Sequence, residues 1–243
     1  MMPRFVMLLF ATLMLPAAAE AAPAAHPVLV ELYTSQGCSD CPPADEILAE
    51  LAGRPDVVAL SFPITYWDML GWKDTLATEA NTQRQKAYAA AMMRGGTYTP
   101  QMVVHGREDV VGNQRQIVLA AIRRAARAAS AAPAVAVNFS GGQLTVGISG
   151  EADGEAALWV MRTLSRAKVS VGGGENKDRE LVYTNVVRDV RRAGYWSGGA
   201  RSFTVPVGTP GGEFDGVAVV LQGAEHGPVL AARLLGLGSV PAR

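Results

Sequence analysis

The sequence predicts an α/β domain followed by a β-rich, sandwich-like domain. Three observations support this fold class. In the first half of the chain, short apolar runs alternate with stretches of helical periodicity, which is the pattern of βαβ units. A short alanine-rich linker that ends at Pro133 interrupts this pattern. Beyond the linker, seven short runs rich in strand-forming residues are separated by glycine and polar turns, a spacing typical of an antiparallel sandwich.

The first 21 residues have the features of a secretory signal peptide. Arg4 supplies positive charge, residues 5–15 form an apolar run too short to span a bilayer, and small residues at 17–21 offer cleavage sites. We therefore expect residues 1–21 to be removed and the mature protein to be exported, either periplasmic or secreted. The alternative, an N-terminal membrane anchor, is disfavoured by the short apolar run. Since no later run is long enough for a transmembrane helix, we expect no stable membrane insertion after cleavage.

Residues 26–131 are expected to form the α/β domain. The predicted strands are 28–33, 56–62, 102–104 and 110–111, and the predicted helices are 44–51, 75–93 and 114–129. The βαβ beginning implies parallel strands joined by a right-handed crossover. In the first helix an apolar stripe at positions 44, 47, 48 and 51 faces the core, and Asp45 is expected to point outward.

Residues 134–243 are expected to form the second domain. Its predicted strands are 135–139, 144–148, 156–163, 181–189, 202–207, 217–222 and 229–234. The last of these segments could instead be helical.

The charge balance argues against a nucleic-acid partner. Lys and Arg number 22, and Asp and Glu also number 22, so the formal net charge is zero. No basic stripe stands out along the chain, and such a stripe is the usual electrostatic signature of nucleic-acid binding.

The two cysteines of the sequence lie between the first predicted strand and the first predicted helix, in the stretch GCSDCPP. A helix N-terminus carries unpaired N–H groups and partial positive charge, which favours a thiolate on Cys38. Cys38 would then attack a disulfide, and Cys41 would resolve the mixed disulfide. Asp40 adds negative charge beside the thiolate, which favours the disulfide form and predicts a centre on the reducing or isomerising side. No cofactor is needed, because the dithiol carries the two electrons.

Two other interpretations of the cysteines stay open at this point. In an exported protein the pair could form a structural disulfide without exchange activity. A tetrahedral metal site would need two further ligands, for which His26, His105, His226 and carboxylates are the candidates.

A proline ahead of a predicted strand strengthens the redox interpretation. Thr99 and Pro100 precede the strand at 102–104, and with this feature the first domain resembles the thioredoxin fold, in which the element order is the same. The resemblance implies that Pro100 is cis and faces the cysteines, and that Thr99 can pair its backbone with an extended substrate. The alternative for Pro100 is an ordinary proline at the start of a strand.

Four motifs resemble the exported DUF1223 family, a domain of unknown function. They read ELYTSQGCSDCPPAD, YWDMLGW, YTPQMVV and GENKDRELVYTNVVRDV, and together they span nearly the whole mature chain. The resemblance implies a thioredoxin-like domain with a β-rich C-terminal extension, and it brings no known substrate. Glu175 and Asn176 belong to the last motif, and we expect them to contact the first domain.

The thioredoxin resemblance also suggests a proton acceptor. Thioredoxins carry a buried acid six residues before the first cysteine, whereas here Glu31 lies seven residues before Cys38. Glu31 could still accept the proton of Cys41 if the intervening loop bulges. The alternative is a glutamate on the exposed face of an edge strand.

The aromatic loop ITYWDMLGW is a candidate substrate groove. It follows the second parallel strand, whose C-terminal end shares an edge of the sheet with the cysteines, and ligands of open α/β sheets bind at that edge. We expect Tyr66, Trp67 and Asp68 to line the groove, with Trp72 beside them. The alternative is that Trp67 and Trp72 pack the loop onto the core.

The sequence thus predicts an exported thiol–disulfide oxidoreductase. Its partners would be a thiol or disulfide protein or peptide substrate and a second protein that resets its redox state. The alternative is a non-catalytic binding or adaptor protein on a thioredoxin scaffold with a structural disulfide. A metal carrier that uses Cys38 and Cys41 is a third, less favoured alternative.

Overall fold

The computed structural model describes residues 26–128 and 132–238, so the predicted signal peptide lies outside the described residues. The α-helices are α1 (Pro42–Ala52), α2 (Glu79–Ala91) and α3 (Arg115–Ala128). The strands are β1 (Val28–Thr34), β2 (Val57–Pro63), β3 (Gln101–Val104), β4 (Glu108–Val111), β5 (Ala134–Ser140), β6 (Gln143–Ser149), β7 (Ala156–Ser170), β8 (Glu180–Trp196), β9 (Arg201–Pro206), β10 (Gly216–Gly223) and β11 (Val229–Gly236). None of these helices is both long and apolar enough to cross a membrane.

A mixed sheet of eight strands runs through the described part of the chain, in the order β11-β10-β7-β8-β2-β1-β3-β4. Strands β1 and β2 are parallel, as the βαβ pattern predicted, and β3 and β4 extend the sheet in antiparallel fashion. The two halves of the chain meet where β2 and β8 pair in parallel, at Ser61 and Val186. The sheet therefore contains strands from both predicted domains, and the division at residues 131–134 stays a prediction.

A separate sheet of three strands, in the order β5-β6-β9, packs on one face of the large sheet. Leu144 and Phe203 on the small sheet belong to the same buried cluster as Val160 and Val219 on the large one. The fold is thus a large mixed sheet with a few helices and a second small sheet.

Both faces of β1 are covered, which explains the nearly continuous apolar run in its sequence. Because side chains alternate along a strand, Val30 and Leu32 pack in the cluster beneath α1 and α3. Leu29 and Tyr33 point to the other face, where Tyr88 of α2 belongs to the same cluster. Glu31 shares this second face by the same alternation.

The predicted elements are present, with three differences. Helix α2 begins at Glu79 rather than at residue 75, because the Asp74 carboxylate accepts the N–H groups of Leu76 and Ala77 and Thr78 forms the N-cap. Strands β7 and β8 are much longer than predicted and pair along most of their length. The C-terminal segment that could have been helical is strand β11.

Candidate functional site

Cys38 and Cys41 form a disulfide between the end of β1 and the start of α1, with their Cα atoms 5.4 Å apart. Cys41 is the N-cap residue of α1, and its carbonyl accepts the N–H groups of Ala44 and Asp45. Pro42 and Pro43 occupy the first turn, where a missing N–H leaves no helical bond unmade. The sulfurs therefore lie at the positive end of a helix dipole.

The peptide bond between Thr99 and Pro100 is cis, and it lies beside the cysteine segment. Tyr33 pairs with Gln101 in the ladder between β1 and β3, so Pro100 lies level with the end of β1, where the chain continues to the cysteines. Trp67 bridges the two segments. Its Nε1 donates to Thr99 Oγ1 at 2.8 Å, and its Cβ would lie 3.4 Å from a Cβ built on Gly37.

A loop from the second half of the chain covers the disulfide. This covering loop, residues 171–179, joins β7 to β8. The side-chain amide of Asn176 donates to the carbonyl oxygens of Gln36 at 3.0 Å and Cys38 at 2.8 Å, and the Glu175 carboxylate accepts the Ser39 N–H at 2.9 Å. Cys38 is 2% exposed and Cys41 is 0% exposed. The expected contact of Glu175 and Asn176 with the first half of the chain is therefore present, and it lies at the segment in which both cysteines are buried.

Trp72 and Arg179 hold the covering loop in place. The Trp72 indole N–H donates to Gln36 Oε1 at 2.8 Å. Its ring lies so close to the glycines of the loop that a Cβ on Gly172 would be 2.7 Å from Trp72 Cζ3. Arg179 donates to Asn176 Oδ1 at 2.8 Å, which orients the amide toward the cysteine segment. Trp72 thus packs against the covering loop and against the buried cluster that includes Leu76 and Val171, and it does not line the groove of Tyr66 and Trp67.

Two buried carboxyl groups lie close to the disulfide segment. Asp74 accepts the Gln36 N–H at 2.8 Å, and burial raises the pKa of its carboxyl. Asp45 follows Cys41 by one helical turn, accepts from Thr34 Oγ1 at 3.2 Å and also has its pKa raised, in this case well above the usual range, by burial. Burial and the charges of Asp45 and Asp74 raise the pKa of the Tyr183 hydroxyl on β8. Asp45 was predicted to point outward, and that prediction is wrong.

Asp45→Asn is expected to make the protein more stable at pH 7 to 8 than the unchanged chain, with the difference shrinking toward pH 4. The folded chain holds the Asp45 proton more tightly than the unfolded chain does. Its contribution to stability is therefore complete below the unfolded pKa of about 3.9 and is lost as pH rises through the folded pKa, by up to about 1.4 kcal/mol per pH unit. Asparagine stays neutral and can still accept from Thr34.

Urea unfolding between pH 4 and 8 checks this expectation. Glu46→Gln, at an exposed position next in sequence, is the matched control and should change the pH profile far less, because burial and not the Glu46 charge is the main cause of the raised Asp45 pKa. If the free energy of unfolding changed with pH equally in Asp45→Asn and in the unchanged protein, the raised pKa of Asp45 would be contradicted.

Glu31 is fully buried on an interior strand, so the edge-strand alternative is wrong. Its carboxylate accepts from Arg84 Nε at 2.7 Å and from the Tyr88 hydroxyl. It lies on the face of β1 that packs against α2, whereas Cys41 begins α1 on the opposite face. The buried acid one turn from Cys41 on its own helix is Asp45, which the sequence reasoning missed. The sequence did contain a signal for this position, because Asp45 follows Cys41 by four residues and residues at that spacing share one face of a helix.

The remaining predicted groove residues separate into two groups. Tyr66, Trp67 and Thr99 line an open groove of about 460 Å³ together with Met69 and Leu70, which are 82% and 53% exposed. Asp68 has a different position, where its carboxylate accepts the Asp74 N–H at 3.0 Å. Its hydrogen bonds reach the cysteine segment through Asp74, which in turn accepts from Gln36.

The candidate metal ligands are not gathered at the cysteines. His105 directly follows β3, its Nδ1 accepts the N–H of Leu29 near the start of β1, and burial lowers its pKa to about 4. His226 packs against the rings of Tyr88 and Trp159. Within residues 26–128 and 132–238, no three His, Cys, Asp or Glu side chains form a group that could hold a metal ion.

Comparison with known proteins identifies the family. A search of curated proteins gives no match. A crystal structure of a protein from Agrobacterium tumefaciens is similar, with a TM-score of 0.77, 31% sequence identity, and coverage of 91% of this chain and 99% of that chain. HBP35 of Porphyromonas gingivalis shares the fold at 14% identity, with a TM-score of 0.63 and coverage of 91% of this chain and 79% of that chain. The DUF1223 model, which describes a protein of unknown function, matches residues 29–222, and the chain therefore belongs to the DUF1223 family.

Proposed function

We propose that the protein is an exported thiol–disulfide oxidoreductase with a thioredoxin-like first half and a sandwich-like second half. The observation that carries the proposal is the disulfide of Cys38 and Cys41 at the N-terminus of α1, beside the segment of Thr99 and Pro100. The parallel βαβ unit that positions it supports the thioredoxin-like interpretation. The signal-peptide pattern of residues 1–21 supports export.

In the reducing direction, the Cys38 thiolate attacks one sulfur of a substrate disulfide. A bond forms between Cys38 and that sulfur, the substrate disulfide breaks, and the other substrate sulfur leaves as a thiolate and takes up a proton. Cys41 then gives its proton to solvent and attacks the Cys38 sulfur. The bond between Cys38 and the substrate breaks, and the second substrate sulfur leaves as a thiolate. The substrate gains two electrons, and the protein is left with the Cys38–Cys41 disulfide.

Carboxylates near Cys38 favour this direction and oppose the effect of the helix dipole. The N-terminus of α1 stabilises a thiolate on Cys38. Asp40 lies between the cysteines, and the Glu175 carboxylate is bound at the neighbouring Ser39 N–H, so both oppose that thiolate. A thiolate destabilised by nearby carboxylates favours disulfide formation in the protein, which fits a reducing or isomerising role.

The groove beside Thr99 supports a polypeptide substrate. Tyr66 and Trp67 offer apolar surface beside the backbone of Thr99, which an extended segment could pair with. A thiol or disulfide protein or peptide is therefore the proposed substrate. A separate redox partner is required to return the protein to its starting state after each turnover.

Trapping of mixed disulfides tests the assignment of the two cysteines. In Cys41→Ser, the attack by Cys38 proceeds but resolution does not, so this variant is expected to accumulate mixed disulfides with a disulfide-containing probe such as intact insulin, whose chains are joined by disulfides. Cys38→Ser is the matched control and should trap far less. Equal trapping by both variants, or by neither when both are folded, would contradict the assignment.

A second candidate function is a binding or adaptor protein whose disulfide is structural. The observation that favours it is the burial of both cysteines beneath the covering loop. Such a protein would keep its partner when Cys38 is replaced by serine, whereas an exchange enzyme would lose its activity.

A further inference from the structure

The covering loop binds backbone groups immediately around Cys38. Asn176 occupies the carbonyl oxygens of Gln36 and Cys38, and Glu175 occupies the Ser39 N–H. These three hydrogen bonds all come from two adjacent side chains of the loop. They engage both acceptor and donor groups of one short backbone segment.

The loop is also fixed within itself. The Val171 N–H donates to the Arg179 carbonyl at 2.9 Å, and the Asp178 N–H donates to the Val171 carbonyl at 2.8 Å, which closes the base of the loop. The Trp72 ring fills the space against Gly172 and Gly173. The loop therefore keeps its own shape, and its removal from the cysteine segment would break the three hydrogen bonds of Glu175 and Asn176 and the contacts of Trp72.

The position of the loop hinders the approach of a thiolate to the disulfide at Cys38. A thiolate must approach a disulfide sulfur directly, and access controls the rate of exchange. Cys38 is only 2% exposed, and the loop is hydrogen-bonded to its carbonyl oxygen, so a thiol in solution has little access to the disulfide in this conformation.

We propose that Glu175 and Asn176 are selectivity residues of the cysteine site, which close the disulfide to small free thiols and admit a polypeptide thiol that replaces their three hydrogen bonds. This inference rests on the proposed exchange function of Cys38, and in the reducing direction the polypeptide thiol is that of the partner which resets the disulfide. An extended polypeptide carries N–H and C=O groups in alternation, so it can match the Gln36 and Cys38 carbonyls and the Ser39 N–H. A small thiol such as dithiothreitol has no such row of groups.

The rate of disulfide reduction by dithiothreitol, followed by alkylation and mass, tests the closure. Asn176→Ala removes the two hydrogen bonds to the cysteine segment and the one from Arg179, and it is expected to raise this rate about tenfold or more. Glu175→Ala removes one hydrogen bond and is expected to raise the rate several-fold. Lys177→Ala is the matched control, because Lys177 is exposed on the same loop and its side chain forms no hydrogen bond within the described residues. The rate for the urea-unfolded chain gives the unprotected limit.

A second probe, reduced and unfolded ribonuclease, tests the selectivity. For each probe, the rate at which it reduces the Cys38–Cys41 disulfide is divided by its thiolate concentration. The ratio of the ribonuclease value to the dithiothreitol value is expected to fall in Asn176→Ala and Glu175→Ala, because the dithiothreitol rate rises more. Unchanged dithiothreitol rates in folded variants would overturn the closure, and equal increases for both probes would overturn the selectivity. Circular dichroism and thermal unfolding would show whether each variant is folded. If Asn176→Ala does not fold, Glu175→Ala still tests the proposal, because Glu175 is exposed.

The two experiments distinguish failure of the loop proposal from failure of the proposed exchange function. The dithiothreitol rates report on loop closure alone, whereas exchange activity is measured by trapping with Cys41→Ser. Faster reduction in the loop variants without any trapping would leave the closure standing and remove the oxidoreductase.

Discussion

Replacement of Glu31 by leucine is expected to lower the free energy of unfolding by about 3–5 kcal/mol. The carboxylate pairs with Arg84 Nε at 2.7 Å, and the two side chains are 0% and 2% exposed. Without Glu31, the guanidinium would keep its charge among the rings of Phe62, Tyr88 and Trp159, whose centroids lie 5.9, 5.1 and 5.4 Å from Arg84 Cζ. An unpaired buried charge of this kind is strongly destabilising.

Urea unfolding measures this effect, and two variants serve as controls. The double variant Glu31→Leu with Arg84→Met removes both charges and should recover much of the lost stability, because an apolar pair of similar volume replaces the ion pair. Glu108→Gln breaks the exposed pair with Arg124 and should cost much less than Glu31→Leu, because solvent screens an exposed ion pair. A cost below about 1 kcal/mol for Glu31→Leu would show that the buried pair does not hold β1 to α2.

Replacement of Gly106 by alanine is expected to cost about 3 kcal/mol. Gly106 lies in the turn between β3 and β4 with φ of +65°, and a left-handed alanine costs about 1–2 kcal/mol. A Cβ at this position would also lie 2.5 Å from the carbonyl oxygen of Gly227 and 3.1 Å from Gln222 Nε2. Because Gly227 presents its backbone, the turn and the segment before β11 would have to move apart.

Gly141→Ala separates the two causes. Gly141 also has a left-handed φ, of +56°, but no atom lies within 4 Å of a Cβ built there. This control should show only the conformational cost of about 1–2 kcal/mol. Equal losses in the two variants, measured by urea unfolding, would contradict close packing between the β3–β4 turn and the segment before β11.

The strands and the helical faces were predictable where burial follows a regular period. The stripe at Ala44, Ile47, Leu48 and Leu51 is buried as predicted, because one face of α1 packs on the sheet. Strand β1 was predictable because both of its faces are covered. These are local patterns, and each segment carries its own signal.

Helix α2 shows why the environment of Glu31 could not be predicted. Its sequence is polar, and the helix buries Asn81, Arg84 and Gln85 rather than an apolar stripe. Arg84 follows Glu31 by 53 residues, and Gln222, which also accepts from Arg84, lies far beyond both. A buried polar network is specified by partners distant in sequence, for which hydrophobic periodicity gives no signal.

The closure of the cysteine site has the same origin. The sequence indicated a contact by Glu175 and Asn176, but the hydrogen bond from Asn176 to Cys38 spans 138 residues. It depends on the long pairing of β7 with β8, which extends beyond the predicted strands and carries the covering loop to the end of β1. Asp45 was predicted to be exposed because the sequence gives no sign that the first turn of α1 lies against β1, where Thr34 donates to the Asp45 carboxylate.

The reduction potential of the Cys38–Cys41 pair tests the oxidoreductase proposal most directly. The protein without residues 1–21 would be equilibrated against thiol buffers until no further change occurs, because the covering loop slows the approach of small thiols. Alkylation and mass would then give the thiol fraction. We predict a potential between about −120 and −270 mV, in the range of exchange proteins. A potential well below about −300 mV would mark a structural disulfide and contradict the proposed function.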